Sequence, residues 1–410
     1  MWGVIFGSMG AAAIAGIIFL WTRFCKFGIV EKLAGGSKWK RRVLGLIPML
    51  LLGCTAFMGY VNAIIILVHM AAYWALAELI FWIVQKIRHG KTKAEVANID
   101  EVSDSGDSEK TALGKKNTGK KKKTGEGAET HRFHPYWVGI IVLCFELCYF
   151  SIGWFLDHHV WEKDYTITTT KDLGLSDSGT DKIRIAQIAD SHVGATFDGE
   201  GFAEHLEKVQ ATDPDVLFIT GDFVDDDTTK EDMYRCCLAL AGFKCKYGVY
   251  FVYGNHDKGY FRYRNFTGEE LEEALNAAGV RILKDEVEMI AGKIYVVGRL
   301  DKSMKDRVEI EKILSLLDPS KYIIVLDHQP NDYAAEAEAG ADLVLSGHTH
   351  GGQMLEINLI GQFLGANDRT YGIETRDKTT FIVTSGISDW AIKFKTGTQS
   401  EFVIIDLKQE

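Results

Sequence analysis

The sequence has no excess of positive charge and no cysteine pair with the spacing of a redox or zinc motif. Its 46 Lys and Arg residues are outnumbered by 56 Asp and Glu residues, which gives a net charge of -10 at pH 7. A nucleic-acid-binding protein normally shows a basic domain or stripe, so this balance argues against nucleic acid as a partner. The seven cysteines include no C-x-x-C pair, and their odd number is not typical of a disulfide framework.

Long apolar runs fill much of the first 160 residues and predict four membrane-spanning helices. Trp2 to Trp21 is uncharged, and about 20 residues suffice to cross a bilayer as a helix. This run lacks the basic start and small-residue cleavage site of a signal peptide, so we expect it to be retained. Val43 to Ile87 is too long for one span and fits two, with a turn near residues 59–62, so residues 1–87 would hold three helices. The fourth span is expected at residues 135–156.

Residues 88–134 form a polar linker between the third and fourth predicted spans. The linker is rich in Lys, Gly, Ser, Thr and acids, a composition that cannot bury a core, so we expect disorder. Its basic run, Lys120 to Lys123, fits either a solvated loop or contact with anionic lipid headgroups. Lys and Arg favour the cytoplasmic side, and the loop at residues 23–42 is also basic. The chain after Leu156 is therefore predicted to lie outside the cytoplasm, in a multi-pass cell-membrane protein.

A connector at residues 157–180 leads to a predicted soluble α/β domain at residues 181–410. Five short apolar runs, rich in β-branched and aromatic residues, are typical of buried strands. They cover residues 183–189, 216–220, 249–253, 322–326 and 343–345. Further strands are predicted at 293–297, 380–384 and 401–407, and helices at 201–210, 230–240, 268–278 and 307–317. Alternating strands and helices predict α/β layering, in which sites form at the carboxyl ends of strands.

Potential metal ligands follow each of the five runs. They are Asp190 and His192, then Asp222, then Asn255, His256 and Asp257, then Asp327 and His328, and finally His348 and His350. The last pair lies in Ser346 to Gln353. By itself this stretch fits a glycine-rich turn with two solvated histidines as well as it fits a metal-binding loop. One such set is more often a turn or cap, but five in succession favour a metal site.

The mixture of imidazole and carboxylate groups indicates which metals would bind. Mixed nitrogen and oxygen ligands suit Zn, Mn or Fe, whereas Ca and Mg prefer oxygen. No cysteine is among the candidates, which disfavours a structural zinc site. Two such ions about 3.5–4 Å apart can hold a hydroxide and clamp the attacking and leaving oxygens of a phosphoryl transfer.

These motifs resemble the calcineurin-like metallophosphoesterases over roughly residues 182–407. The matching stretches are Asp190-x-His192, Gly221-Asp222-x-x-Asp225, Gly254-Asn255-His256-Asp257, His328 and Gly347-His348-Thr349-His350. The resemblance implies a four-layer α/β/β/α sandwich with two central sheets. It also implies two divalent metal ions and a phosphoester substrate.

The resemblance assigns a role to each of these residues. It implies that Asp190, His192 and His350 bind the first metal, that Asp222 bridges, and that Asn255, His328 and His348 bind the second. His256 would face the phosphate and stabilise or protonate the leaving oxygen, and Asp257 would orient His256. We expect Asp225 to be structural.

Other features narrow the family branch without fixing the substrate. The Asp-x-x-Tyr of purple acid phosphatases is absent after the first strand, and the chain looks more like bacterial membrane-associated phosphoesterases. Relatives in that group act on lipid-linked or nucleotide-sugar pyrophosphates or on generic phosphodiesters. The apolar stretch Met354 to Leu364 has two interpretations. It could form a lip that faces the bilayer or a lipid substrate, or it could be a plain edge strand. Ser385 to Trp390 is a candidate pocket lining, with Trp390 as a stacking surface.

The sequence therefore predicts a membrane-anchored, metal-dependent phosphoesterase. Phosphodiesters, phosphomonoesters and pyrophosphates all remain candidate substrates, including lipid-linked or cell-envelope ones. The alternative is a catalytically silent membrane scaffold or sensor with a structural metal site, against which the His256-Asp257 pair argues. A channel with an enzymatic appendage is disfavoured because the predicted spans contain few ionisable residues.

Overall fold

The computed structural model describes residues 2–103, 136–175, 181–259 and 264–410, and for the side chains of the first range only residues 10–89. The chain forms two compact units, Met1–Cys148 and Tyr149–Glu410. The first unit is helical. Its helices are α1 (Trp2–Phe24), α2 (Gly28–Ala34), α3 (Lys38–Leu44), α4 (Leu46–Gly53), α5 (Tyr60–Ser103) and the start of α6 (Trp137–His158), with a 3-10 helix at Cys54–Met58.

Three stretches of the described chain are helical, long and apolar enough to cross a membrane. They are Lys38–Met58, Tyr60–His89 and Trp137–His158. A further pair of helices, Gly10–Phe24 and Gly28–Ala34, is bent by 70° at a short break. If this pair forms one span, the number of spans is four, as predicted. The chain turns at Gly59, with φ at 98°, inside the turn predicted between the second and third spans. These helices indicate a membrane protein.

The predicted start of the disordered linker differs from the structure. Helix α5 continues through residues 88–103, which we expected to be disordered, and ends at Ser103. Residues 91–103 contain no proline and several good helix formers, Lys, Ala and Glu, so the helix can propagate beyond its apolar part. The rest of the predicted linker, residues 104–134, lies outside the described residues.

The second unit contains two six-stranded sheets. Its strands are β1 (Val160–Thr169), β2 (Lys182–Ile188), β3 (Val216–Thr220), β4 (Val249–Val252), β5 (Arg281–Ile282), β6 (Glu286–Ile290), β7 (Ile294–Gly298), β8 (Tyr322–Leu326), β9 (Leu343–Ser346), β10 (Gly372–Arg376), β11 (Thr379–Val383) and β12 (Ser400–Gln409). One sheet has the order β1-β12-β2-β3-β4-β5 and the other β10-β11-β9-β8-β7-β6. The helices are α7 (Gly199–Ala211), α8 (Lys230–Gly242), α9 (Gly268–Ala277), α10 (Ile310–Leu314), α11 (Tyr333–Glu338) and α12 (Ile360–Phe363), with a 3-10 turn at His350–Gly352.

The central strands are apolar throughout because both of their faces are buried. In β3, Val216 and Phe218 belong to the core between the two sheets, whereas Leu217 and Ile219 belong to the core under α7, α8 and α9. A third core joins the other face of the second sheet to α10 and α11. Strands buried on both faces appear in the sequence as continuous apolar runs. The three cores lie between four layers, helices, two sheets and helices, which confirms the predicted α/β/β/α sandwich.

The segment at residues 157–180, which we predicted to be a polar connector, contains a strand. Strand β1 pairs in parallel with β12 from Val160 to Thr169. It lies at the edge of its sheet, and exposed Glu162 and Asp164 alternate with less exposed residues. Because one face of the strand is charged, its sequence contains no apolar run by which it could be predicted. Edge strands commonly carry such charges.

The parallel pairings β2–β3–β4 and β8–β9 give the loops that follow these strands one common direction within each sheet. Contacts between the sheets join the two sets of loops. The Thr220 carbonyl at the end of β3, for example, lies 2.8 Å from His328 Nδ1 after β8. All five predicted ligand sets therefore converge on one edge of the stacked sheets.

Candidate metal centre

The first ligand cluster consists of Asp190, His192 and His350. Their donor atoms all lie within 4.8 Å of one another, and all three residues are buried. Asp190 Oδ1 lies 4.0 Å from His192 Nε2 and 3.9 Å from His350 Nε2. These separations are too long for hydrogen bonds and leave room for an ion that all three atoms would bind.

The second cluster consists of Asp222, His328 and His348, whose donor atoms also lie within 4.8 Å of one another. Asp222 Oδ2 is 3.0 Å from His328 Nε2 and 3.6 Å from His192 Nε2 in the first cluster. The other oxygen, Oδ1, accepts a hydrogen bond of 2.8 Å from the backbone N–H of His256, which fixes the carboxylate. Asp222 therefore lies between the two clusters, where a bridging ligand would be needed.

Unsatisfied donor atoms at the centre test whether the residues fit metal ions. Asn255 Oδ1, His192 Nε2 and His328 Nε2 are buried and have no hydrogen-bond partner among the described residues. The 3.0 Å approach of His328 to Asp222 lacks the alignment of a hydrogen bond. Buried polar atoms are normally satisfied, and three orphans aimed at mixed imidazole and carboxylate clusters fit bound divalent cations.

The opposite ring nitrogens of three histidines have partners that fix the ring orientations. Nδ1 of His192 lies 2.9 Å from Asp225 Oδ2, and Nδ1 of His328 donates to the Thr220 carbonyl at 2.8 Å. Nδ1 of His350 lies 3.3 Å from the Ser388 carbonyl, and Asp389 Oδ1 approaches the same nitrogen at 2.9 Å without the alignment of a hydrogen bond. A proton on Nδ1 in each ring leaves the Nε2 lone pair for a metal, which is the usual arrangement of histidine ligands.

Burial and neighbouring acids perturb the ionisation of the centre. Burial by itself lowers the pKa of His192, but Asp225, Asp222 and Asp190 outweigh it and raise the pKa to about 9. Burial, with His328 close by, lowers the pKa of His348 to about 3. The acids thus concentrate negative charge around His192 strongly enough to attract a proton, and a divalent cation would satisfy the same demand.

Five of the predicted site residues have left-handed backbone conformations. Their φ angles are 52° for Asp190, 35° for His192, 50° for Asp222, 72° for His348 and 49° for His350. Residues other than glycine adopt this region rarely and at a cost, and such strain concentrates at functional sites. The fold therefore accepts strain in order to aim these side chains inward.

Two glycines allow the backbone to approach the ligand carboxylates. A Cβ at Gly254 would overlap Asp222 Oδ1, and a Cβ at Gly347 would overlap Asp190 Oδ2. Glycine is required here because any side chain would displace a ligand. Gly351 and Gly352, with φ at 61° and 77°, provide the turn predicted after the two histidines.

The carboxylate beside His256 is not the one predicted. Asp225 Oδ1 lies 2.9 Å from His256 Nδ1. Asp257 instead accepts four backbone hydrogen bonds, from Asp222, Phe223, Val224 and Gly254. Two donors on each oxygen saturate this buried carboxylate, so Asp257 holds the β3 and β4 loops together. Asp225, which we had expected to be structural, is the carboxylate that contacts the His256 ring.

The sequence pointed to two acids near the centre without showing which side chains they contact. Asp225 was visible as the second acid of Gly221-Asp222-x-x-Asp225, but spacing could not show that it reaches His192 and His256. Asp389 lies in Ser385 to Trp390, the predicted pocket lining, but the sequence did not show its approach to His350. Trp390, expected to line the pocket, has its ring centroid 5.9 Å from that of His256.

The two stacked sheets therefore carry two His/Asp clusters around one shared carboxylate, an arrangement that fits a pair of metal ions. Residues 183–352 match the family model described as calcineurin-like phosphoesterase. This match confirms the resemblance seen in the motifs of that part of the chain.

Relatives with similar sequences occur in bacteria and animals. The chain is 29% identical over 231 residues to an uncharacterized metallophosphoesterase of Campylobacter jejuni, covering 55% of this chain and 59% of that protein. It is 31% identical over 232 residues to one of Helicobacter pylori, covering 55% and 60%. A Danio rerio protein described as a transmembrane protein with metallophosphoesterase domain is 27% identical over 240 residues, covering 55% and 53%. The chain thus spans little more than half the length of these relatives.

Proposed function

We propose that this chain is a membrane-anchored phosphoesterase that uses two divalent metal ions, Mn, Zn or Fe, to hydrolyse phosphodiester, phosphomonoester or pyrophosphate bonds. The position of Asp222 carries the proposal. Its Oδ2 lies within 3.6 Å of histidine nitrogens from both clusters, so one carboxylate can serve two ions. A single structural ion would need only one of the clusters.

The residues assigned to each ion follow from the two clusters. Asp190, His192 and His350 would hold the first, Asn255, His328 and His348 the second, and Asp222 both. Two bound ions would supply Lewis-acid charge to a phosphoryl group and lower the pKa of water beside it.

His256 is the candidate proton donor, because it is a ligand of neither cluster in this assignment. Its Nδ1 is held 2.9 Å from Asp225, and Asp225 also holds His192 of the first cluster. The same carboxylate therefore fixes His256 relative to the metal centre. A proton carried on its Nε2 would pass to the leaving oxygen as the ester bond breaks.

The decisive experiment compares purified full chain and an Asp222→Ala variant on chromogenic phosphodiester, phosphomonoester and pyrophosphate substrates. We expect turnover with added Mn²⁺ or Zn²⁺ and a loss in the variant larger than the roughly 10–100-fold typical of an outer partner. The control is Asp227→Asn, which changes an exposed acid of the same loop. A folded, metal-loaded wild-type protein that turns over none of the three substrates would favour the silent scaffold or sensor.

We also propose that the phosphoesterase domain lies outside the cytoplasm. The basic segment between α5 and α6 favours the cytoplasmic side, and α6 then crosses the membrane once. This reasoning holds whether the protein has three spans or four. Protease added to intact cells should digest the domain, and complete protection while a known external protein is cleaved would refute the orientation.

A further inference from the structure

A stretch of exposed apolar side chains follows the metal loop directly. It occupies residues 354–364, where turns and α12 replace the edge strand that was one expectation. Its exposed members are Leu355, Ile357, Leu359, Ile360, Phe363 and Leu364, of which Phe363 is 89% exposed. We call residues 354–364 the apolar segment. Clustered exposure of this kind usually marks an interaction surface.

The apolar segment is fastened to the last turns of α6. Tyr149 Oη lies 2.6 Å from both Glu356 Oε2 and Thr396 Oγ1. The backbone N–H of Leu355 donates to Thr396 Oγ1 at 3.1 Å, and the backbone N–H of Lys395 donates to the Gly153 carbonyl at 3.0 Å. These contacts fix the segment beside the stretch of helix from Tyr149 to Gly153.

The position of Tyr149 along α6 sets the depth of this attachment. Tyr149 belongs to Trp137–His158, a helix apolar enough to cross a membrane. Trp154 is 47% exposed, and tryptophan near the end of a span marks the interface between headgroups and acyl chains. Tyr149 precedes Trp154 by five residues, so in a helix that crosses the bilayer Tyr149 would lie about 7–8 Å deeper than Trp154.

The charge of the segment is compatible with this depth. Glu356 is its one charged residue in residues 354–364, and the Tyr149 hydroxyl donates to it. Leu359, Ile360, Phe363 and Leu364 have no charged neighbour within that stretch of sequence. The segment is attached to α6 on the bilayer side of an interfacial tryptophan. Its leucine, isoleucine and phenylalanine side chains would therefore be buried 5–10 Å into lipid, as those of interfacial helices are.

From these observations we propose that the apolar segment inserts into the bilayer interface next to α6 and is covered by lipid. The metal ligand His350 precedes the segment by a few residues, and Gly352 packs directly against Asn358 within it. Insertion would therefore hold the metal loop at the membrane surface. The inference rests on the membrane span of α6 and needs no assumption about the reaction.

Depth-dependent fluorescence quenching tests the proposal on the full chain in lipid nanodiscs. A Phe363→Trp variant is compared with wild type in nanodiscs of ordinary phosphatidylcholine and of phosphatidylcholine brominated high on its acyl chains. The control is Leu316→Trp, because Leu316 is 84% exposed and follows α10 on the outer layer of the second sheet. Subtracting the wild-type signal removes the nine native tryptophans.

We expect brominated lipid to remove about half or more of the fluorescence added at residue 363 and to leave that added at residue 316 unchanged. Equal, weak quenching at both positions would overturn the proposal. So would blue-shifted, unquenched emission at residue 363, which would show that a second copy or another protein covers the segment. If the same nanodisc samples show quenching at residue 363 but no phosphoesterase activity, the proposed function fails and the insertion of the segment stands.

Discussion

Replacing Asp225 by asparagine tests how the centre is organised. Its two oxygens each lie 2.9 Å from an imidazole nitrogen, Oδ1 from His256 and Oδ2 from His192. Asparagine keeps the shape of the side chain but has one acceptor oxygen and places an NH₂ group against one of the two N–H groups. One of the two histidines therefore loses its partner.

The size of the effect follows from that single lost interaction. A hydrogen bond to a charged group contributes about 1.5–3 kcal/mol, and each 1.36 kcal/mol corresponds to about tenfold in a rate or binding constant. We therefore expect kcat/KM to fall by roughly 10- to 100-fold, the range known for outer partners of metal ligands. The Asp225 side chain is only 13% exposed, so water is a poor substitute for the lost acceptor.

The assay distinguishes which histidine is released. If His192 loses its partner, metal content falls and excess Mn²⁺ or Zn²⁺ restores activity. If His256 loses its partner, metal content stays at the wild-type level and kcat falls at every metal concentration. The control is again Asp227→Asn. A variant within twofold of wild type in both kcat/KM and metal content would refute the role given to Asp225.

Two further variants test the surrounding framework. Asp257→Asn removes part of a carboxylate that accepts four backbone hydrogen bonds, and we expect the free energy of unfolding to fall by about 2–3 kcal/mol, measured by denaturant titration; an unchanged midpoint would contradict this. Gly254→Ala would force a methyl group into Asp222 Oδ1, so metal content and turnover should both collapse, whereas Gly242→Ala, where nothing lies within 4 Å, should leave them unchanged.

The strands that carry the ligands could be predicted because they are buried on both faces. Every residue of β3 and of β8 is buried, so each is one continuous apolar run followed by its ligands. Strand β1 could not be found in this way, because its exposed charged residues resemble those of a linker. The helical part of the linker was missed for a related reason, since residues 91–103 contain no run of apolar residues to detect.

Asp225 and Asp257 have different contacts because the backbone points their side chains in different directions. The spacing of residues in the sequence does not show these directions. Asp257 is the neighbour of His256 in sequence, but the turn after Gly254 aims its carboxylate at the backbone N–H groups of residues 222–224. The partner of His256 then comes from the loop after β3. It follows that the two acids should separate experimentally: loss of Asp257 should lower stability more than kcat, and loss of Asp225 should lower kcat or metal content more than stability. A pair of variants showing the reverse order would mean that the acid adjacent in sequence orients His256 after all.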